Sequence, residues 1–159
     1  MTLFSMLFPG QGCQYIGMLS SFFYKNNKIF SNTFEEASEH IHLDLFKLIQ
    51  EGPLLKLNQS KYAQVAILTS SVSIYRLWNN KNGKNPSFMS GHSLGEYSAL
   101  VCSDAIQFSD ALKIVFLRGQ LMEKITINRP TLMQAIIGID EKKVQSVCCL
   151  LKSKKKLFL

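Results

Sequence analysis

One serine of this chain lies between two glycines, in a spacing typical of enzymes that use serine as a nucleophile. Ser93 is flanked by Gly91 and Gly95 in the pattern G-x-S-x-G. In a nucleophile elbow a strand turns sharply into a helix, and the strained serine needs neighbours without side chains. The pattern predicts an exposed hydroxyl that can attack an acyl group, although two glycines near a serine also occur in ordinary turns.

The residues around Ser93 also predict the hydrogen-bond donors that such an attack needs. A short apolar strand at residues 88–89 and a helix at residues 96–102 would place Ser93 at a helix N-terminus. The backbone N–H of Leu94 would then face negative charge beside the hydroxyl, as half of an oxyanion hole. A second candidate donor is Gln11, flanked by glycines in a loop that lacks the spacing of a nucleotide-binding motif.

Arg118 is a further candidate, because it interrupts the apolar pattern of a helix predicted from residue 108, with Ser109 or Asp110 as its cap. A half-buried guanidinium needs an acceptor and suits bidentate binding of a carboxylate. The plainer interpretation is a stem packed on the core and a head that reaches solvent or a local acid. The predicted buried side of this helix is Ala111, Ile114, Val115, Leu117, Leu121 and Met122.

Histidines and cysteines form no pattern that indicates a metal site or a disulfide. His40 and His42 are two positions apart, so they would point to different faces of a helix. The four cysteines make no C-x-x-C pair, and a reduced, cytoplasmic setting fits them best. They are Cys13, Cys102, Cys148 and Cys149.

Length and charge limit the class of protein. The 159 residues are 47% apolar, enough for one substantial core, and carry a net charge of +7. Four of the positive charges lie within residues 152–159, which leaves 14 basic against 11 acidic groups in residues 1–150. This near balance argues against nucleic-acid binding. The longest uncharged apolar-rich run, residues 62–75, is too short and polar to span a membrane, and no signal peptide is indicated.

Apolar periodicity predicts an alternation of strands and helices. Strands are expected at residues 3–8, before the Gln11 loop, at residues 88–89 and at residues 132–139. The helix at residues 62–78 is apolar on most sides, as expected of a helix buried between layers. The other predicted helices are at residues 17–24, 29–41, 43–50, 96–102, from 108 onward, and 141–151.

Three motifs together resemble a known family. Phe8-Pro9-Gly10-Gln11-Gly12, the segment 91–100 around Ser93, and Arg118-Gly119-x-x-Met122 occur in this order and spacing. They resemble the malonyl-CoA:acyl carrier protein transacylases of type II fatty acid synthesis. The resemblance reaches from the first residues to about residue 140 and the helix after it. It covers about the N-terminal half of that family's length.

The resemblance implies roles for the candidate residues. Ser93 would accept the malonyl group, the N–H groups of Gln11 and Leu94 would form the oxyanion hole, and Arg118 would hold the malonyl carboxylate. The implied partners are malonyl-CoA and acyl carrier protein, with a coenzyme A thioester as substrate and no metal or redox cofactor. The family's general base is a histidine in its second half, and His92 is not expected to replace it.

The resemblance also implies an α/β fold: part of an α/β-hydrolase-like acyltransferase domain with the start of an inserted ferredoxin-like subdomain. Residues 1–124 would belong to the large domain, residues 125–151 to the small subdomain and residues 152–159 to a basic tail. On this interpretation the chain is either a truncated reading frame or one half of a split protein, whose second chain would complete the fold. The alternatives are a non-catalytic remnant that binds a carrier or assembles with other chains, and, more weakly, a serine esterase.

Overall fold

The computed structural model describes residues 3–23, 28–127 and 136–154 of the chain. These fall into two compact units, residues 1–129 and residues 130–159. The first unit contains two strands and seven helices among its described residues, and the second contains one helix.

Two short strands place the Gln11 loop and the Ser93 turn next to each other. Strand β1 (Ser5–Phe8) and strand β2 (Phe88–Gly91) pair in parallel, with Ser5 opposite Phe88 and Phe8 opposite Gly91. The strand predicted at residues 3–8 is confirmed over its last four residues. Parallel neighbours need a long crossover, which here is helical. Since the carboxyl ends of both strands meet at one edge, the Gln11 loop and the Ser93 turn emerge side by side.

Helices supply most of the ordered structure of the first unit. They are α1 (Ser20–Phe23), α2 (Lys28–Ile41), α3 (Leu45–Glu51), α4 (Leu54–Leu57), α5 (Ser60–Asn80), α6 (Gly95–Cys102) and α7 (Phe108–Thr126). Of the helix predicted at residues 17–24, residues 20–23 form α1, and residue 24 lies outside the described residues. Residues 17–19 are not helical, because Gly17 and Leu19 adopt positive φ angles of 82° and 65°. The other predicted helices of this unit are confirmed, with ends shifted by a few residues.

Helix α5 is the centre of the core, as its apolar sequence predicts. It packs against α2, α6 and α7, and its residues from Ala63 to Thr69 are all buried. The largest fully buried apolar side chains around it are Phe30, Phe34, Leu45, Ile49, Leu57, Leu68, Leu94 and Leu112. Among the described residues, no helix is both long enough and apolar enough to cross a bilayer.

Helix α7 begins where the sequence predicts, but the residue that caps it is a different one. It starts at Phe108, preceded by Gln107, so the predicted capping roles of Ser109 and Asp110 are wrong. Phe108 is buried in the core, and the burial of its ring favours its position in the first turn of α7. Asp110 instead forms an exposed ion pair with Lys113, with 3.3 Å between Oδ1 and Nζ.

The buried side of α7 is narrower than its apolar sequence suggests. The prediction is confirmed for Ala111 and Val115, whereas Ile114, Leu117 and Leu121 are exposed. The buried positions are Phe108, Ala111, Leu112, Val115 and Gly119. This is the one-face spacing of a helix that packs on a single layer, and the remaining apolar residues lie on the neighbouring face.

The second unit is described over residues 136–154. The predicted strand at residues 132–139 falls partly outside the described residues, and residues 136–139 are not in a strand. Gly138 has a positive φ of 81°, which turns the chain into Asp140. The Asp140 carboxylate accepts a 2.9 Å hydrogen bond from the N–H of Lys142 at the start of α8 (Glu141–Lys154), which confirms the predicted helix.

The division into domains stays a prediction in its finer detail. Helix α7 continues through Ile125 to Thr126, so the boundary expected after residue 124 falls in its last turn. The two compact units divide at residues 129 and 130.

Candidate active site

The turn from β2 into α6 has the geometry predicted for a nucleophile elbow. Ser93 is exposed and has a φ of +53°, a backbone conformation that disfavours a side chain. A Cβ atom on Gly91 would lie 1.9 Å from the carbonyl carbon of Gly95, and one on Gly95 would lie 2.3 Å from the Phe8 oxygen. Both contacts are with backbone, so both positions require glycine. The Ser93 hydroxyl is therefore presented at the edge of the sheet.

Leu94 provides a backbone donor beside this hydroxyl. Its side chain is fully buried and anchors the turn in the core. Helix α6 begins at the next residue, and within the described chain no acceptor is recorded for the Leu94 N–H. An unsatisfied N–H at the positive end of a helix can donate to an anion. The geometry is compatible with the expected oxyanion donor.

The Gln11 loop passes directly alongside the elbow. A Cβ atom on Gly10 would lie 2.7 Å from the backbone oxygen of His92 and 2.8 Å from its Nδ1, so only glycine allows this approach. Gln11 is tied to the start of α5, because its Nε2 donates to Ser60 Oγ at 3.1 Å and its Oε1 accepts from Gln64 Nε2 at 3.2 Å. These contacts hold the loop between the elbow and α5.

Arg118 reaches the Ser93 hydroxyl from α7. Its Nη2 donates to Ser93 Oγ at 3.1 Å, and its Nη1 donates to Gln64 Oε1 at 2.9 Å and contacts Met122 Sδ at 3.4 Å. The guanidinium carbon lies 6.0 Å from the centre of the Tyr97 ring, the outer limit of a cation–π contact. Within the described residues no carboxylate forms an ion pair with Arg118. The guanidinium therefore keeps its charge available beside Ser93.

A close contact between α5 and α7 brings Arg118 to this place. A Cβ atom on Gly119 would lie 2.4 Å from the Cα of Lys61, so the absent side chain lets the two backbones meet. The Glu123 carboxylate then accepts a 3.1 Å hydrogen bond from the backbone N–H of Lys61 and also lies 3.8 Å from its Nζ. Glu123 thus satisfies a donor at the N-terminus of α5. This packing is the physical reason for glycine directly after the arginine.

Gln64 is a member of the site that the sequence interpretation did not single out. It is fully buried in α5, between Gln11 and Arg118, and it bonds to both. A glutamine within the apolar segment at residues 62–68 of α5 was the available signal, since a buried amide needs partners. The structure brings together Ser93, Gln11, Arg118 and Gln64 through direct contacts.

The histidines play no evident part in the site. The His92 backbone donates to the Phe8 oxygen at 3.2 Å and accepts from the Gly95 N–H at 2.9 Å, but among the described residues its ring forms no hydrogen bond with Ser93. His40 lies in the last turn of α2, and His42 follows the helix with a φ of +51°. In the described parts of the chain no three histidine, cysteine or acidic side chains group as metal ligands.

The cysteines are free thiols. Cys102 is buried in α6, and burial raises the pKa of its thiol to about 12, so it stays protonated at neutral pH. Because the thiolate is the reactive form, this raised pKa disfavours reaction at Cys102. Cys13 is exposed near the Gln11 loop.

Comparison with known proteins agrees with this geometry. The model of the acyl transferase domain family matches residues 5–148. The chain is 60% identical over 148 residues to the malonyl CoA-acyl carrier protein transacylase of Buchnera aphidicola subsp. Schizaphis graminum, and 45% identical to that of Escherichia coli K12. Each alignment covers 93% of this chain and 48% of the relative. The chain thus spans about half the length of these curated relatives.

Solved structures show the same half of the fold. The malonyl CoA-acyl carrier protein transacylase of Coxiella burnetii superimposes with a TM-score of 0.87 at 42% identity, over 94% of this chain and 47% of that chain. A malonyl-transacylase solved in complex with its type II polyketide acyl-carrier protein superimposes with a TM-score of 0.83 at 40% identity, over 97% and 50%. The α/β acyltransferase fold and the resemblance to its N-terminal half are confirmed, and the chain belongs to the acyl transferase domain family.

Proposed function

We propose that this chain carries the nucleophile and the carboxylate-binding residue of a malonyl-CoA:acyl carrier protein transacylase of fatty acid synthesis. One observation carries the proposal: Arg118 Nη2 lies 3.1 Å from Ser93 Oγ, so a cation stands beside an elbow serine. A malonyl group has a carboxylate one carbon from its thioester carbonyl. The serine can therefore attack that carbonyl while the guanidinium binds the carboxylate.

The reaction would proceed in two acyl-transfer steps through a serine ester. Ser93 Oγ bonds to the thioester carbon, the carbon–sulfur bond of malonyl-CoA breaks, and the hydroxyl proton ends on the coenzyme A thiol. The phosphopantetheine thiol of acyl carrier protein then attacks the ester, and its proton returns to Ser93 Oγ. The N–H groups of Gln11 and Leu94 would stabilise the oxyanion in both steps. The balance requires no metal or redox cofactor.

The described contacts of Ser93 include no acceptor for its hydroxyl proton. The polar side chain at its hydroxyl is Arg118, which only donates. We propose that a histidine from the family's second half acts as the base, either in the same polypeptide or in a second chain that completes the fold. The inserted ferredoxin-like subdomain, beginning within residues 125–151, and a cytoplasmic location belong to the same proposal.

A serine esterase explains the site less well. It would use the elbow and an oxyanion hole, but it needs no guanidinium beside the serine. Carboxylate recognition accounts for the guanidinium, and for the glycine that lets α7 approach α5.

Mass mapping of peptides tests the proposal. The 159-residue chain is incubated with malonyl-CoA, with Ser93→Ala as control, and a malonyl ester is expected on Ser93. Esterification should be slow, because general-base assistance is worth roughly 10²–10⁴-fold. Malonyl groups on another residue with Ser93 unmodified, or turnover as fast as that of a full-length relative, would contradict this assignment of roles.

A further inference from the structure

The contacts of Gln64 suggest more than a structural role. Its amide lies fully buried, with Nε2 donating to Gln11 Oε1 at 3.2 Å and to Met122 Sδ at 3.2 Å. Its Oε1 accepts from Arg118 Nη1 at 2.9 Å. Burying an amide is unfavourable unless it is hydrogen-bonded, and here every recorded partner belongs to the site or to its arginine motif.

The acceptors that orient Arg118 are all neutral. They are the Gln64 carbonyl, the Met122 sulfur, which is a weak acceptor one helical turn away, and the Ser93 hydroxyl. The acid nearest in sequence that could compete, Glu123, is engaged with the backbone and side chain of Lys61. Arg118 is thus held in place without a carboxylate partner in the described chain. Its remaining N–H groups can bind one from outside.

We propose that Gln64, together with Met122, is a positioning residue that sets specificity for acyl groups bearing a free carboxylate. By supplying neutral acceptors, the pair fixes the direction of the Arg118 guanidinium and leaves its charge uncompensated. The inference rests on the proposed function. It adds the residues that select a carboxylated acyl group over an uncharged one. A carboxylate at either position would form an internal ion pair with Arg118 and satisfy it before substrate binds.

Two variants place that carboxylate from different helices. Gln64→Glu keeps the size of the side chain, and the Gln11 amide can rotate so that its Nε2 faces the new carboxylate and its Oε1 accepts from Ser60. Met122→Glu puts the charge four residues after Arg118 at a half-exposed position, which tolerates a charge better. Gln107→Glu is the matched control, because it adds the same charge at an exposed position about 16 Å along α7 from Arg118.

Calorimetric titration of the full chain with malonyl-CoA and with acetyl-CoA provides the test. The wild-type chain should bind malonyl-CoA about 10- to 100-fold more tightly, as expected for charge-assisted hydrogen bonds. In Gln64→Glu and Met122→Glu the two dissociation constants should agree within about threefold, chiefly through weaker malonyl-CoA binding. Gln107→Glu should keep the wild-type ratio.

The outcomes separate the inference from the proposed function. A wild-type chain that binds both thioesters equally would contradict the proposed function, and the inference with it. If the wild type discriminates but either glutamate variant, folded by thermal melting, keeps the wild-type ratio, the inference alone is overturned. If Gln64→Glu weakens the binding of both thioesters by the same factor, the role of Gln64 is merely structural. Should Gln64→Glu not fold, Met122→Glu decides the question.

Discussion

Ser93 and Arg118 reach the same point of the fold by different means. Ser93 is held by a turn whose required glycines, Gly91 and Gly95, are four residues apart. Arg118 sits in a regular helix and is positioned by Gln64, 54 residues away in sequence. The elbow therefore depends on steric exclusion within one turn and against the neighbouring strand, whereas the arginine depends on the contact between two helices. Substitutions should therefore change the elbow and the position of the arginine independently.

The largest effect is expected at the elbow. Gly95→Ala would place a methyl group 2.3 Å from the Phe8 oxygen and 2.9 Å from the Pro9 oxygen, neither of which can move without distorting β1. We expect the free energy of unfolding, measured by urea denaturation, to fall by about 3 kcal/mol or more. Gly12→Ala has open space around its methyl group but a positive φ of 111°, so it should cost only about 1 kcal/mol. If Gly95→Ala and Gly12→Ala lower the free energy of unfolding equally, steric exclusion does not define the elbow.

Removing the arginine should affect binding rather than the turn. Arg118→Ala is expected to weaken malonyl-CoA binding by about 2–3 kcal/mol in calorimetry, while acetyl-CoA binding changes little. Arg76→Ala is the control. It removes an arginine that pairs with Glu36 at 2.9 Å and lies over the Phe108 ring, so it should lower stability without changing this preference. Equal losses for both thioesters in Arg118→Ala would indicate a structural role.

Moving the arginine without removing it is a finer test. In an open helix Gly119→Ala would gain about 1 kcal/mol from helix propensity. Here the methyl group would lie 2.4 Å from the Cα of Lys61, so we expect a net loss of about 1–2 kcal/mol in thermal or urea unfolding. Malonyl-CoA binding should weaken as α7 withdraws from α5. A stabilised variant with unchanged binding would contradict the importance of this close contact.

The smallest effect should be a gain in stability. Ser93 has a φ of +53°, which glycine adopts without steric penalty, so Ser93→Gly is expected to raise the free energy of unfolding by about 0.5–1 kcal/mol. It should also abolish esterification by malonyl-CoA. Ser93→Ala loses the nucleophile but keeps the Cβ strain, and should show no such gain. A destabilised Ser93→Gly would mean that the turn is unstrained.

The features that could be predicted from the sequence are those set by local sterics and periodicity. The elbow follows from Gly91 and Gly95, because only glycine fits where backbones nearly touch. The buried character of α5 follows from its apolar residues on most sides. The residue that caps α7 could not be predicted in the same way, since Ser109 and Asp110 are good caps and the burial of Phe108 overrides them.

Only the tertiary structure decided which apolar and polar residues are neighbours. Ile114 and Leu117 are as apolar as Val115, but only Val115 faces the core, because the helices that pack against α7 cover one of its faces. Gln64 and Arg118 carry no local sign of their contact. Sequence specifies steric and hydrogen-bonding requirements residue by residue, whereas the packing of α5 against α7 at Gly119 decides which residues satisfy them.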